Sequence, residues 1–184
     1  MLGGLAAAFR TPDLRKKILF TLGLLAIYRL GTVIPTPGVD YTAIQKCVSV
    51  VQDNSLYGLI NLFSGGALLQ LSVFALGIMP YITASIIIQL LVVVIPRLEA
   101  LKKEGQSGQA KLTQYTRYLT IALAVLQGTT ILTLARTPGR LFQGCNEELI
   151  PDQSIPLILS MIIALTAGTA LIMWFGELIT DRGV

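Results

Sequence analysis

Side chains that could catalyse a reaction are almost missing from this chain of 184 residues. It contains no His, which excludes a Ser-His-Asp triad and any metal site built on imidazole. Its two Cys residues, Cys47 and Cys145, stand far apart in the sequence and are too few for a four-ligand metal cage. The Gly-x-x-x-x-Gly-Lys-Ser/Thr loop that cradles phosphates does not occur. The sequence therefore predicts a protein that is not an enzyme, with no metal and no cofactor.

Polar side chains inside apolar segments are the remaining candidates for function, because such residues are costly in a membrane. Thr83 and Gln89 lie in one such segment and Gln127 lies in another. Each could hydrogen-bond to a neighbouring helix, and ordinary helix packing explains them equally well. Arg29 also lies within an apolar segment, where its guanidinium would snorkel to the surface or pair with a carboxylate or backbone carbonyls.

The elements that position these residues follow from composition. Apolar residues make up 53% of the chain and charged residues 13%, whereas soluble domains carry about 25% charged residues. No charged side chain occurs at residues 54–96, and residues 72–95 are numerous enough to cross a bilayer as a helix. The residues before them are more polar and include Gly65 and Gly66. Such backbone is tolerated at membrane depth only inside protein or beside water, which predicts a re-entrant half-helix at about residues 56–63.

The predicted fold class is an all-α polytopic membrane protein with four transmembrane helices. The four spans are at about residues 18–33, 72–95, 118–135 and 153–176. Pro80 should kink the second span, because proline interrupts the hydrogen-bond ladder of a helix. Ile78 and Ile82 are four residues apart and share one face of that span, where lipid contact is the ordinary role.

The orientation follows from the positive-inside rule. Ten of the 14 Lys and Arg residues fall on one predicted side: Arg10, Arg15, Lys16, Lys17, Arg97, Lys102, Lys103, Lys111, Arg117 and Arg182. Lys46, Arg136 and Arg140 fall on the other side. Both termini and the loop 96–117 are therefore predicted to be cytoplasmic, and the net charge of +4 reflects topology rather than nucleic-acid binding. Residues 2–9 would form a short interfacial helix or a frayed tail.

Both cysteines fall on the predicted outer side, Cys47 in the first outer loop and Cys145 in the second. Disulfides persist outside the cytoplasm. A bridge that ties the two outer loops together and a pair of free thiols are both consistent with the sequence, because spacing does not fix the separation of the Cα atoms.

Four segments resemble the SecY family of protein-conducting channels, in the family's own order and spacing. They are RLGTVIPTPGVD at 29–40, NLFSGGALLQLSVFALGIMPYITASIIIQLL at 61–91, PRLEALKKEGQSGQAKLTQYTRY at 96–118 and MWFGELITDRG at 173–183. The resemblance implies the N-terminal part of a ten-span channel. Such a channel conducts unfolded secretory proteins across the plasma membrane and releases membrane segments through a lateral gate, with no catalysis of its own. The pair of outer-loop cysteines is similar to that of actinobacterial members.

The resemblance also implies roles for individual residues. Residues 56–69 resemble the plug, the half-helix that closes the outer funnel. Its signature residues are Asn61, Phe63, Ser64, Gly65 and Gly66. The residues that correspond to the pore ring, an apolar constriction around the translocating chain, are Ile78 and Ile82. The second and third spans match one wall of the lateral gate, and the residues on its polar cluster are Thr83, Gln89 and Gln127.

The partners implied by the resemblance are SecE-like and SecG-like small membrane subunits, secretory preproteins with signal sequences, and membrane lipid. A SecA motor and the ribosome would dock mainly on the C-terminal part, and no nucleic acid is a substrate. The implied location is the plasma (inner) membrane of a bacterium. Family members continue past the Arg-Gly pair near Val184 with further spans, so the chain is expected to be the N-terminal part of a longer protein.

The alternative function is that of half of another multi-span transporter. The string LEALKKEGQSGQA has a weak similarity to the loop by which ABC permeases dock an ATPase. Secondary transporters place charged or ion-coupling residues in the middle of their spans, where only Arg29 stands here. A plain membrane anchor would not need the polar, glycine-broken segment before residue 72.

Overall fold

The computed structural model describes residues 2–51, 56, 59, 62, 63, 66, 71–140 and 144–182. Within these residues the regular elements are helices, together with one isolated antiparallel bridge between Pro35 and Ser72. The helices are α1 Leu2–Arg10, α2 Pro12–Val33, α3 Tyr41–Val51, α4 Met79–Val94, α5 Pro96–Lys103, α6 Gln106–Arg136 and α7 Ile155–Arg182. The predicted all-helical class is confirmed, and residues 2–9 belong to a short helix.

Two of these helices, α6 and α7, are long and apolar enough to cross a membrane. The helices α4 and α5 pass the same test together, with a bend of 100° between them, so the described residues hold up to three such segments. The 22-residue α2 is long enough but carries charged residues near its start and Arg29 further along. The prediction of four spans therefore stays a prediction, because it requires α2 as a further span.

The long helices pack side by side, with α2 against α7, α7 against α6, and α6 against α4. The buried face of α6 repeats almost every fourth residue, as one face of a helix does. Its members are Gly108, Leu112, Thr116, Thr120, Ala124, Gly128, Leu132 and Ala135. Most of these side chains are small, which lets neighbouring helix backbones approach closely. The bundle is therefore organised around α6.

The predicted loop 96–117 is mostly helical, because it contains α5 and the start of α6. The sharp bend falls at Ile95, whose extended backbone (φ −98°, ψ 115°) is what the residue before Pro96 prefers. A second turn follows at Gly105, where φ is +84°. The end of the bundle that carries α5 is called the α5 end below.

The expected kink at Pro80 is wrong. The helix α4 begins at Met79, with Ile78 as its N-cap, so Pro80 lies in the first turn. Proline is well tolerated there because the first backbone N–H groups of a helix have no intrahelical partner. Residues 72–78, predicted as the start of the second span, form a bridge and turns instead.

The opposite end of the bundle, called the disulfide end below, holds most of the buried core. The helix α3 and the segment 144–150 cover the ends of α6 and α7 there. The core members at this end include Ala43, Ile44, Cys47, Cys145, Leu149, Ile150 and Met161. The backbone N–H of Asp40 donates to the carbonyl of Leu149 at 2.9 Å and joins the two covering segments.

Candidate functional site

The two predicted pore-ring residues line one cavity between α4, α6 and α7. This cavity has a volume of about 600 Å³, and its walls include Ile78, Ile82 and Tyr81 on one side and Ile172 and Met173 on the other. The side chains of Ile78 and Ile82 remain 42% and 37% exposed. Both residues therefore present aliphatic surface to open space rather than to the helical core.

The same face of α4 continues as an apolar stripe towards the α5 end. Ile86 and Leu90 follow Ile78 and Ile82 at intervals of four residues and are 51% and 63% exposed. Residues at this spacing lie one above the other on a helix. Branched aliphatic side chains of this kind form a dry wall without hydrogen-bonding groups.

Ile78 is positioned by a feature that sequence reasoning missed. The turns at residues 71–78, named the turn segment, lie against the end of α2. The backbone N–H of Thr36 donates to the carbonyl of Leu71 at 3.0 Å, and the N–H of Val73 donates to the carbonyl of Ile34 at 3.1 Å. The apolar character of residues 72–78 predicts a helix as readily as a buried turn, so periodicity alone could not have found this arrangement.

The three predicted gate residues are not brought together. The hydroxyl of Thr83 donates to the carbonyl of Met79, within its own helix, at 2.9 Å. Gln89 lines a separate groove of about 400 Å³ between α4, α5 and α6, close to Thr113. Gln127 lies about 20 Å beyond Thr113 along α6, at a rise of about 1.5 Å per residue. Among the described residues no hydrogen bond joins any two of these three side chains.

Two of the predicted plug residues, Phe63 and Gly66, belong to the described part of the chain. Phe63 is helical and 56% exposed, and Gly66 has a φ of +89°, which glycine adopts readily. The other three signature residues, Asn61, Ser64 and Gly65, lie outside the described residues.

A salt bridge joins α6 to α7 at the polar side of the cavity. The Nε and one terminal nitrogen of Arg117 each donate to a different carboxylate oxygen of Glu177 at 2.8 Å. Paired, parallel contacts of this kind are the stronger form of an arginine–carboxylate interaction. The fold thus supplies Arg117 as the partner of Glu177 from 60 residues away along the chain.

At the disulfide end, Cys47 and Cys145 are bonded through their Sγ atoms, with the Cα atoms 5.3 Å apart. This Cα separation lies within the range that disulfides require. An ion pair between Lys46 and Glu147, at 3.6 Å, joins the same two segments. The sequence leaves open a disulfide or two free thiols, and the structure contains the disulfide.

The start of α3 is held by Asp40. Its carboxylate accepts hydrogen bonds from the Thr42 hydroxyl at 2.7 Å and from the Thr42 N–H at 3.0 Å. The hydrogen bond from the Thr42 side chain is the main cause that lowers the pKa of Asp40 below the ordinary value of an aspartate, with smaller contributions from the backbone N–H groups and Lys46. Asp40 therefore acts as a charged N-cap of α3.

The described residues contain no group of three or more His, Cys, Asp or Glu side chains that could hold a metal ion. The candidate site offers an aliphatic wall and a polar wall, and the polar wall carries the Arg117–Glu177 pair, Asp181 and two threonines.

Comparison with known proteins supports the family resemblance that the sequence motifs indicate. The sequence model of the SecY family matches residues 72–184. The chain is 66% identical over 187 aligned positions to a protein of Streptomyces scabiei named "Protein translocase subunit SecY". It is 65% identical to the protein of that name from Streptomyces coelicolor and 57% identical to the one from Mycobacterium tuberculosis.

These alignments include 100% of the chain and 42–43% of each relative, so the chain spans about two fifths of the length of the curated relatives it matches. The relatives come from actinobacteria, the bacterial group that the pair of outer-loop cysteines indicates. The family model covers more than half of the chain and includes residues 72–78 of the turn segment, the exposed stripe of α4 and the Arg117–Glu177 pair, so the chain belongs to the SecY family.

Proposed function

We propose that this chain forms one half of the pore of a Sec translocon, which conducts unfolded secretory proteins across the plasma membrane of a bacterium and releases membrane segments sideways into lipid. The observation that carries this proposal is the exposed aliphatic pair Ile78 and Ile82 in one cavity between α4, α6 and α7. An apolar constriction hinders ions while offering no specific contacts to the passing chain.

The wall formed by α4 and α6 is proposed as one side of the lateral gate. Gln89 lies towards the α5 end of this wall and Gln127 towards its disulfide end, with Thr83 between them. The gate is thus proposed to carry separate polar contacts at different depths. Each hydrogen bond between helices in a membrane averages only about 0.6 kcal/mol, so an apolar signal sequence can displace them one at a time.

The remaining proposals concern topology and partners. Four spans, formed by α2, α4, α6 and α7, would place the α5 end in the cytoplasm and the disulfide end outside. The plug would lie at about residues 56–69, between α3 and the turn segment. The proposed partners are SecE-like and SecG-like subunits, a SecA motor, the ribosome, secretory preproteins with signal sequences, and lipid.

The test is a photoreactive residue at position 78 or 82 of the full-length subunit, in membranes with its partners and a stalled secretory chain. Position 126 is the matched control, because Leu126 is 64% exposed and lies on the side of α6 away from its buried face. Crosslinks to the secretory chain from 78 and 82 but not from 126 are expected. Equal crosslinking at all three positions, or none, would refute the pore.

The second candidate function, half of a transporter for small solutes, is distinguished by the same experiment. It predicts no crosslink to the stalled chain from any of the three positions. If the transporter is an ABC permease, it should copurify with an ATPase subunit. The translocon should instead copurify with a small SecE-like membrane subunit.

A further inference from the structure

Ile78 is the last residue of the turn segment rather than a residue inside a helix. It is the N-cap of α4, with φ −95° and ψ 0°. Its place in the cavity therefore depends on the turn segment as much as on α4. Functional side chains must be held to within about 0.5 Å by the structure behind them, so the contacts that hold the turn segment also set the position of Ile78.

The first contact is with the chain that follows α2. Leu71 has a φ of +43°, a conformation that costs energy for any residue with a side chain. Its carbonyl accepts two hydrogen bonds from Thr36, at 3.0 Å from the N–H and at 2.7 Å from the hydroxyl. Both residues are buried, which makes loss of these bonds expensive. The start of the turn segment is thereby fixed to α2.

The second contact is a notch on α2 at Gly31. The ring of Phe74 is stacked on Tyr28, with the ring centres 5.5 Å apart. The same ring occupies the space beside Gly31, where an added Cβ would overlap its carbon atoms. The close approach of the turn segment to α2 thus requires glycine at this position.

The third contact is a notch on α7 at Gly168. An added Cβ there would overlap the backbone carbonyl oxygen of Val73. A side chain can rotate away from such an overlap, but a backbone carbonyl can move only with its whole segment. Gly168 therefore fixes the separation between α7 and the turn segment.

We propose that Gly31 and Gly168 are positioning residues for Ile78: the two notches hold the turn segment between α2 and α7 and thereby set the width of the resting constriction. This inference rests on the proposed function. An alanine at either position pushes the turn segment out of its notch and displaces Ile78, while Ile82, one turn into α4, moves less. The resting channel then leaks ions.

The experiment uses the full-length subunit with its partners and compares Gly31→Ala and Gly168→Ala with Gly23→Ala. Gly23 is the matched control, because it lies on α2 and an added Cβ there meets nothing within 4 Å. The first readout is the ion conductance of the resting channel in planar bilayers. The expected result is a rise of about tenfold for the two notch variants, which corresponds to about 1.4 kcal/mol in the closed-to-open equilibrium. The control should not change.

The second readout is the ratio of photocrosslinking from position 78 to that from position 82, with a stalled secretory chain. Because both values come from the same quantity of folded protein, a general loss of stability leaves this ratio unchanged. Displacement of Ile78 alone changes it. A ratio equal to that of Gly23→Ala in both notch variants would overturn the inference.

A rescue variant separates the two notches. Phe74→Leu removes the ring that opposes a methyl group at position 31, so it should restore low conductance to Gly31→Ala. It should leave Gly168→Ala unrescued: the Phe74 ring also lies 3.2 Å from an added Cβ at position 168, but the two nearer atoms belong to the Val73 backbone and remain in place. Rescue of both variants or of neither would contradict the geometry. If Gly168→Ala does not accumulate, the pair Gly31→Ala and Phe74→Leu still decides the question.

Failure of the inference is distinguishable from failure of the proposed function. If the wild-type protein gives no crosslink from position 78 or 82, the pore is refuted and the inference with it. If the wild-type protein crosslinks while the notch variants match Gly23→Ala in conductance and ratio, the pore stands and only the positioning role is refuted.

Discussion

Removal of the Cys47–Cys145 bridge tests how the disulfide end is held together. The bond closes a loop with a sequence separation of 98 residues. In the chain-entropy treatment, a closed loop of about 100 residues lowers the entropy of the unfolded chain by an amount worth about 4.7 kcal/mol. This is an upper bound here, because α6 lies inside the loop and a helix in a membrane keeps its structure when tertiary contacts are lost. We expect a loss of about 2 to 3 kcal/mol, within the usual range for disulfides.

The assay is the free energy of unfolding of the full-length subunit in mixed detergent micelles, with and without a reductant. Both cysteines are buried, at 1% and 6% exposure, so the double variant Cys47→Ala, Cys145→Ala avoids placing a serine hydroxyl in the core. Reductant should lower the stability of the wild-type protein to about that of the double variant and should leave the double variant unchanged. This comparison of one sequence in two redox states separates the bond from the side-chain change.

Two results would refute the reasoning. Mass mapping under non-reducing conditions could find both thiols free in protein taken from oxidising membranes. Alternatively, the bond could be present while its reduction changes the free energy of unfolding by less than about 0.5 kcal/mol, which would mean that the membrane already supplies the constraint.

Three further predictions concern single side chains. Glu177→Gln should lower the free energy of unfolding by at most about 1 kcal/mol, because the Arg117 side chain is 40% exposed and solvent screens the pair. A double variant that exchanges Arg117 and Glu177 should recover part of this loss. No recovery in thermal unfolding would contradict the pairing. Because the folded-state pKa of Asp40 lies below its value in the unfolded chain, its stabilisation of α3 is present above the unfolded pKa and is lost as pH falls through the folded pKa. The protection of the α3 amides against hydrogen exchange, measured relative to the intrinsic exchange rate at each pH, should therefore fall on acidification, and Asp40→Asn should remove that component if Asp40 is the titrating group. If Gln127 belongs to the proposed lateral gate, Gln127→Leu should change how hydrophobic a signal sequence must be for export, and an unchanged threshold across a graded series of signals would count against that proposed role.

The membrane class and the main helices could be read from the sequence, because they depend on local composition. The run at 118–135 lies within α6, and all but the first two residues of the run at 153–176 lie within α7; both helices extend beyond their runs into charged sequence. Length and apolarity alone decide whether such a helix can cross a bilayer. The connection at 96–117 was harder to predict, because the charged residues there are compatible with an exposed helix as well as with a loop.

Several features were decided by the tertiary structure. Pro80 has the same identity whether it kinks a helix or begins one, and the choice depends on whether residues 71–78 are held elsewhere. They are held by Thr36, Gly31 and Gly168, which lie on distant parts of the chain, and no local pattern identifies a glycine as a notch before its opposing atom is known. The separation of Gln89 from Gln127 follows likewise from the antiparallel packing of α4 on α6.

The sequence by itself determined that the chain is helical and rich in apolar runs long enough for a membrane, that it has no His for catalysis, and which family it resembles, because each of these is a property of residue type and order. Only the tertiary structure decided that Cys47 is bonded to Cys145, that Arg117 forms a salt bridge with Glu177, and that Ile78 ends a turn packed between α2 and α7. These are distances between segments far apart in the chain. They are fixed by which surfaces fit together at close packing, and the composition of any one segment does not contain that information.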